Sequence, residues 1–467
     1  MKPIAQRSAS LDVLRGVSIL LMVLSSSIAF GILPGWMYHA QVPPPAHVFD
    51  PDRPGITWVD LVFPFFLFTM GAAIPLAMQK RLSVDHPLVV GIFAIGKRFI
   101  ALLFFSVFTF QARAWVLHNP PGWDTYLVSL FCFLLLFGMY TDFSRIIGKK
   151  QTLLLKTMSC VVGVLIIGPK ILDGEAMTEN RLDIILLVLA HMALFGTLWW
   201  WMTRNYPLLR IGLLPFLLTI LLGSGMSGSF HADVFAWTPL AWVYKFYYLK
   251  YLFIVVPATC AGEWIIQEQK NDRNSLARWR LRGVVVLSIV LVIANVASLY
   301  ARVLNWNLLL NFGLLAGIGW LAEIFKDAKH KSLLQKLLLA GAYLLLLGLF
   351  AEAFEGGIKK DYSTFSYYFV CTGLAFFALA LLHGLEQLHV GKTLMQCLAW
   401  VGRNPMVAYT AGNLFVIPVL ALTGTQVYLD QLTAWGPWMG FMRGVLFTTV
   451  VAGITVFTAK KGLFWKT

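Results

Sequence analysis

The stretch "WMYHAQVPPPAHVFDPDRPGITWVDLVFPFFLF", Trp36 to Phe68, joins two kinds of sequence. Its second half runs on to Met78 with no charge after Asp60, long enough for a helix to cross a bilayer. Its first half is polar and proline-rich and carries His39 and His47. A membrane helix directly after such a loop places ionisable residues at a bilayer edge, where they are costly and usually functional.

The rest of the chain extends the pattern. Of 467 residues 58% are hydrophobic and 13% charged, whereas a soluble protein carries about 25% charged residues. Apolar runs recur near 11–33, 58–79, 97–116, 125–141, 152–172, 184–203, 207–224, 249–266, 283–302, 307–325, 333–352, 365–386, 404–422 and 440–459. The short fourth and seventh runs are candidates for re-entrant segments. The expected fold is all-α, a polytopic integral membrane helical bundle of about 11–14 transmembrane helices. Residues 1–467 read as one domain, with no soluble domain, repeat or low-complexity segment. The first run lacks a small-residue cleavage site, so it is expected to stay as a transmembrane helix.

The net charge of +15 would suggest nucleic acid in a soluble protein. Here its distribution points to topology, and no nucleic-acid partner is expected. Lys2, Arg7 and Arg15 precede the first span, and Lys80, Arg81, Lys97 and Arg98 lie around the second connection. Arg145, Lys149 and Lys150 follow the fourth, and Lys270, Arg273, Arg278, Arg280 and Arg282 the eighth. Lys326, Lys329, Lys331 and Lys336 follow the tenth, and Lys460, Lys461 and Lys466 come last. Alternating spans put all of these on one side, which the positive-inside rule makes cytoplasmic together with both termini. The five cysteines are scattered in or beside apolar runs with no CxxC spacing, so they are expected to pack as small hydrophobes, with no metal site.

His39 follows the first span and Asp60 opens the second, so a helical hairpin can bring them together. A carboxylate beside an imidazole fixes its tautomer and raises its basicity. The competing reading is that Asp60 caps its helix and His39 is a loop residue. His191, inside the sixth span, is expected to pack with a hydrogen bond. Glu263 is expected to pair with a lysine, and Lys359, Lys360 and Asp361 to form an exofacial cluster, read as a solvated loop with binding of an anionic acceptor as the alternative.

"SLDVLRGVSILLMVL", "YHA" and "GITWVDLVFPFFLFTMGAAIPLAM" resemble the heparan-alpha-glucosaminide N-acetyltransferase family of transmembrane acyltransferases. Ser10, Asp12, Arg15 and Gly16 match its opening helix. His39 and Ala40 match its His-Ala, and Asp60 to Pro64 its Asp-Leu-Val-Phe-Pro helix. "PATCAGEWI", "IKKDYSTFSYYF" and "VGRNPMVAY" are weaker echoes, so residues 1–80 carry most of the resemblance. It implies an acyltransferase that takes an acetyl or similar group from cytosolic acetyl-CoA to an extracytoplasmic carbohydrate or amino sugar. His39 would be the essential histidine, with Asp60 as its partner. Covalent transfer through His39 and direct transfer with His39 as base both remain open. Arg15 and Arg98, with Lys97 and Arg403 as further candidates, would meet the CoA phosphates. Ser26 stands where relatives carry an asparagine suited to polarise the thioester. Asn404 begins a helix before Pro405 and is a further ligand candidate. The loop adds "VPPPAHVFDPDRPG", in which His47 and Asp52 could reshape the acceptor site. Expected partners are the acceptor sugar, CoA, the bilayer and, as a further candidate, a second copy of the chain. The expected location is a bacterial inner membrane. The rival readings are a secondary transporter and an inactive relative that binds a glycan or lipid.

Overall fold

Backbone groups in hydrocarbon must be satisfied within their own segment, and long apolar runs therefore coil into helices. The computed structural model describes residues 8–79, 87–172, 178–269, 276–326 and 331–466. Lys2, Arg7, Lys80, Arg81, Lys270, Arg273 and Lys329 of the charge pattern lie outside the described residues. Among the described residues, fourteen helices are long and apolar enough to cross a membrane. The first seven are α1 Ala9–Ser27, α2 Trp58–Met78, α3 Val89–Gln111, α4 Trp123–Tyr140, α5 Lys149–Pro169, α6 Ile184–Thr203 and α7 Pro207–Gly225. Next come α8 Phe246–Glu268, α9 Arg278–Ala301, α10 Leu304–Leu321, α11 Leu333–Phe354 and α12 Phe365–Leu388. The short α13, Lys392–Arg403, precedes α14 Pro405–Leu422 and α15 Pro437–Lys460. The molecule is an all-α polytopic membrane bundle.

Two spans depart from the hydropathy reading. α1 stops at Ser27, six residues before the apolar run ends, and Ile28 is extended. The hydroxyls of Ser25, Ser26 and Ser27 donate to the carbonyls of Met22, Val23 and Leu24. Such back-bonding competes with the helical ladder. The seventh span crosses as two pieces, Pro207–Gly212 and Leu214–Leu222. Pro215 has no N–H and its ring crowds the carbonyl of Ile211.

α12, α2, α8 and α6 are the most buried helices. α12 packs on α11 and α9, α2 on α8 and α1, and α1 on α13. Small residues set the closest crossings, as is usual between membrane helices. A Cβ at Gly71 would strike the Val255 carbonyl and one at Gly262 the Ala72 carbonyl. Gly16 and Gly402 press against the carbonyls of Leu398 and Asp12 in the same way.

Several polar side chains inside the bundle are paired. Asn295 on α9 exchanges amide hydrogen bonds with Asn311 on α10 at 2.8 and 3.0 Å, and Asn307 joins them. Arg210, fully buried, donates to Glu263 at 2.8 Å. Glu263 therefore pairs with an arginine, where a lysine was expected. His191 has no charged partner among the described residues. Its Nδ1 lies 2.9 Å from the Leu187 carbonyl, and Phe99, Phe195, Tyr244 and Tyr248 surround the ring. Cys132 and Cys371 are buried, but Cys397 is exposed on α13.

Alternating spans place the start of α1, the end of α2, α13 and the end of α15 at one end of the bundle, called here the basal end. His39 lies at the other.

Candidate functional site

The 30-residue connection from α1 to α2 is pinned by its own polar groups. The Tyr38 hydroxyl donates to Ala29 O at 2.6 Å and accepts from the N–H groups of Ile32 and Leu33. Thr57 Oγ1 donates to Tyr38 O at 2.6 Å, so the residue before His39 is tied to the start of α2. Thr57 is also the N-cap of α2, and Asp60 completes a capping box by accepting its N–H at 2.9 Å.

Asp60 is completely buried, and its two oxygens do different work. Oδ2 takes the capping bond and, at 3.3 Å, the Ala40 N–H. Oδ1 faces His39 Nδ1 at 3.2 Å and Lys360 Nζ at 3.6 Å. The cap and the imidazole partner, rival readings in the sequence, are one residue. The Tyr367 hydroxyl donates to the Asp60 carbonyl at 2.8 Å and anchors this turn to α12.

The other face of the ring meets a residue that the sequence reading assigned to solvent. Asp361 Oδ2 lies 3.0 Å from His39 Nε2. Gln41, fully buried, accepts the Asp361 N–H at 2.9 Å, and its amide donates to Asp361 O and Pro51 O. The Gln41 N–H also points at His39 Nδ1, 3.1 Å away. Ser363 bonds Tyr247 and Tyr368, and Glu355 accepts the N–H groups of Phe365 and Ser366. The loop that carries Lys360 and Asp361 is thereby held against the His39 loop. No motif marked Asp361 as a partner of His39, since 322 residues separate them.

The cluster holds one imidazole, two carboxylates and one ammonium. In the neutral ring, Nδ1 accepts from Gln41 and Nε2–H donates to Asp361. In the imidazolium both N–H groups have a carboxylate waiting, Asp60 on the buried side and Asp361 on the exposed side. Burial pushes the Asp361 carboxyl up. The hydrogen bond from His39 and the charges of Lys360 and His39 outweigh this and hold it below its ordinary value. An imidazole so framed is built to take up a proton and keep its orientation.

The other candidates are spread over the bundle. Arg15 is nearly enclosed, donating to Asp12, Thr69 and Gly402 O. Asn404 is fully buried; its amide donates to Leu463 O and Thr458, and its oxygen accepts the Trp465 N–H. Both therefore tie elements together at the basal end. Ser26 is exposed in the last turn of α1, about 16 Å along the helix from Arg15. Arg98 is half-buried on α3, which packs chiefly on α6. His47 sits edge-on to Phe30 and Tyr38, and Asp52 is exposed.

At the basal end two depressions of about 510 and 420 Å³ share Ala9, Glu386 and His389. Arg278 lines the first and Lys392 and Arg403 the second. Of these, Arg403 had been singled out for phosphate. Arg278 and Lys392 are indistinguishable in sequence from ordinary positive-inside residues.

Fourteen membrane-spanning helices with a framed histidine at one end define an integral membrane protein with a built polar site. The chain belongs to the family of the domain of unknown function DUF5009, whose family model matches residues 7–265. The matched segment contains His39 and Asp60 and stops short of Lys360 and Asp361. No curated protein matches the chain.

Proposed function

We propose that the protein is a membrane acyltransferase that moves an acetyl or similar acyl group from a CoA thioester to a carbohydrate or amino sugar. The observation that carries this reading is His39 held between Asp60 and Asp361, and the resemblance to the heparan-alpha-glucosaminide N-acetyltransferase family supports it. By the positive-inside rule the basal end is cytoplasmic, and the His39 end faces away from the cytosol of a bacterial inner membrane. CoA phosphates bind at the basal depressions, beside Arg278 in one and Lys392 and Arg403 in the other.

His39 acts as general base. When the acceptor hydroxyl or amine takes the place of Asp361 beside Nε2, the neutral ring carries its proton on Nδ1 towards Asp60 Oδ1, 3.2 Å away, and the free Nε2 lone pair takes the acceptor's proton. The freed lone pair forms a bond to the acyl carbon, the C–S bond breaks, and the imidazolium returns the proton to the departing thiolate. Asp60 Oδ1 receives Nδ1–H while the ring is charged. Lys360 offers positive charge to the oxyanion of the tetrahedral intermediate. Flanking carboxylates stabilise a charged, protonated ring, which favours direct transfer over an acyl-histidine.

The test is thioester consumption by the purified protein with a panel of sugars. His39→Ala should lower turnover by about 10²- to 10⁴-fold, and Asp60→Asn by a comparable factor. His47→Ala should stay near wild type. Wild-type turnover in His39→Ala would end the proposal, and solute uptake into sealed vesicles without thioester use would replace it with transport.

A further inference from the structure

A cavity of about 690 Å³ lies between α1, α2, α9 and α12. Its wall is almost wholly apolar, running from Leu14 and Leu382, in the basal thirds of α1 and α12, to Thr57, Trp36 and Tyr300 at the His39 end. Along α2 it extends from Phe65 to Thr57, about 12 Å, and along α1 it reaches Leu14, about 20 Å from the helix end at Ser27, deeper than the ~15 Å of one hydrocarbon leaflet. Ile293 and Trp36 on its rim are 62% and 46% exposed, so the slot opens sideways to lipid.

Two of its polar side chains are already used. Ser18 Oγ donates to Leu14 O and Thr57 Oγ1 to Tyr38 O. The amide-bearing arm of CoA would find few partners there, and each group left unpaired in hydrocarbon would cost several kcal/mol. A hydrocarbon chain needs none.

At the His39 end the slot meets a second recess of about 170 Å³, bounded by Ala40, Arg53, Pro54, Tyr300 and Arg302. Tyr300 belongs to both cavities. Arg302 is held by the buried Glu352. Arg53 is exposed and makes no ion pair among the described residues. Ala40, on the far wall, is the neighbour of His39. Apolar slot, cationic recess and imidazole therefore follow one another towards the His39 end.

We infer that the slot and recess bind a single lipid phosphate, with its tail between α1, α2, α9 and α12 and its phosphate against Arg53 and Arg302. Resting on the acyl-transfer reading, this lipid is the anchor of the acceptor. The sugar is presented to His39 on a long-chain isoprenoid or similar phosphate, not free in solution. The lateral opening lets such a substrate arrive by diffusion in the membrane.

The test uses full-length protein in mild detergent, a long-chain polyprenyl phosphate as probe and phosphatidylglycerol as competitor. The expected result is preference for the polyprenyl phosphate by about tenfold or more. Ala297→Trp fills the slot from an exposed position and should weaken that binding by a similar factor. Arg53→Ala should weaken it by about tenfold, the size of a charge-assisted phosphate contact. Equal binding of phosphatidylglycerol, or no effect of Ala297→Trp, overturns the inference. In turnover, Ala297→Trp should raise KM for a polyprenyl-phosphate-linked sugar and leave KM for acetyl-CoA unchanged. A raised KM for acetyl-CoA instead would make the slot the donor's route and overturn the inference. Selective lipid binding with no thioester consumed from any acceptor would uphold the lipid site and overturn the acyl-transfer reading.

Discussion

At the scale of the residue, Asp361 is the most consequential side chain in the site after His39 and Asp60. Its carboxyl has an ordinary value of 3.8, and the folded protein holds it lower. On acidification the unfolded chain therefore binds this proton first. The contribution of Asp361 to stability is full above its unfolded value and is lost as pH falls through the lower folded value. Asp361→Asn should melt below wild type by a constant margin above about pH 5, and the gap should close below pH 3.8. Melting curves of both proteins in detergent across this range measure it. A gap that stays constant to the lowest pH would show that the contact with His39 is not ionic. The partnership of His39 with Asp60 was legible because both flank one connection. Asp361 and Gln41 were not, because their link to the ring depends on how α11 and α12 dock, which no local pattern encodes.

At the scale of the element, the crossing of α1 and α13 is the tightest contact near the basal end. Gly402 and Gly16 each face a backbone carbonyl that cannot move aside without shifting a helix. Gly402→Ala and Gly16→Ala should each cost about 1–3 kcal/mol by overpacking. Gly453→Ala on α15, which has open space around it, should be neutral or gain up to ~1 kcal/mol. Thermal unfolding of the three variants decides it; equal melting would mean that the crossing gives way easily. The spans themselves were plain in the sequence because hydropathy over some 20 residues determines them. The early end of α1 was not, because it depends on three hydroxyls bonding back to their own helix. α13 was missed because it is too short and too polar to register as a span.

At the scale of the whole molecule, sidedness rests on the proposal that the basal end is cytoplasmic. Cys397 on α13 is exposed at the basal end, and Asp52 is exposed at the His39 end. In right-side-out vesicles an impermeant maleimide should label Asp52→Cys on a Cys397→Ser background. Cys397 of the wild type should react only after permeabilisation. The reverse pattern would invert the molecule and place His39 in the cytosol, removing the need for acyl transfer across the bilayer.

Trp465 bears on how such a molecule is assembled. It is nearly buried, and Phe105, Phe133, Phe137 and Tyr140 of α3 and α4 close around its ring. Asn404 holds its backbone N–H, and Lys466 N–H bonds the Tyr140 carbonyl. These early helices emerge from the ribosome more than three hundred residues before the indole that completes their packing. At about 5–20 residues per second this interval lasts roughly half a minute. Throughout it, α3 and α4 sit in the membrane with an aromatic socket unfilled, open to lipid or to an insertion chaperone. Quality control could therefore read one ring late in the chain as the signal that the first third has been finished.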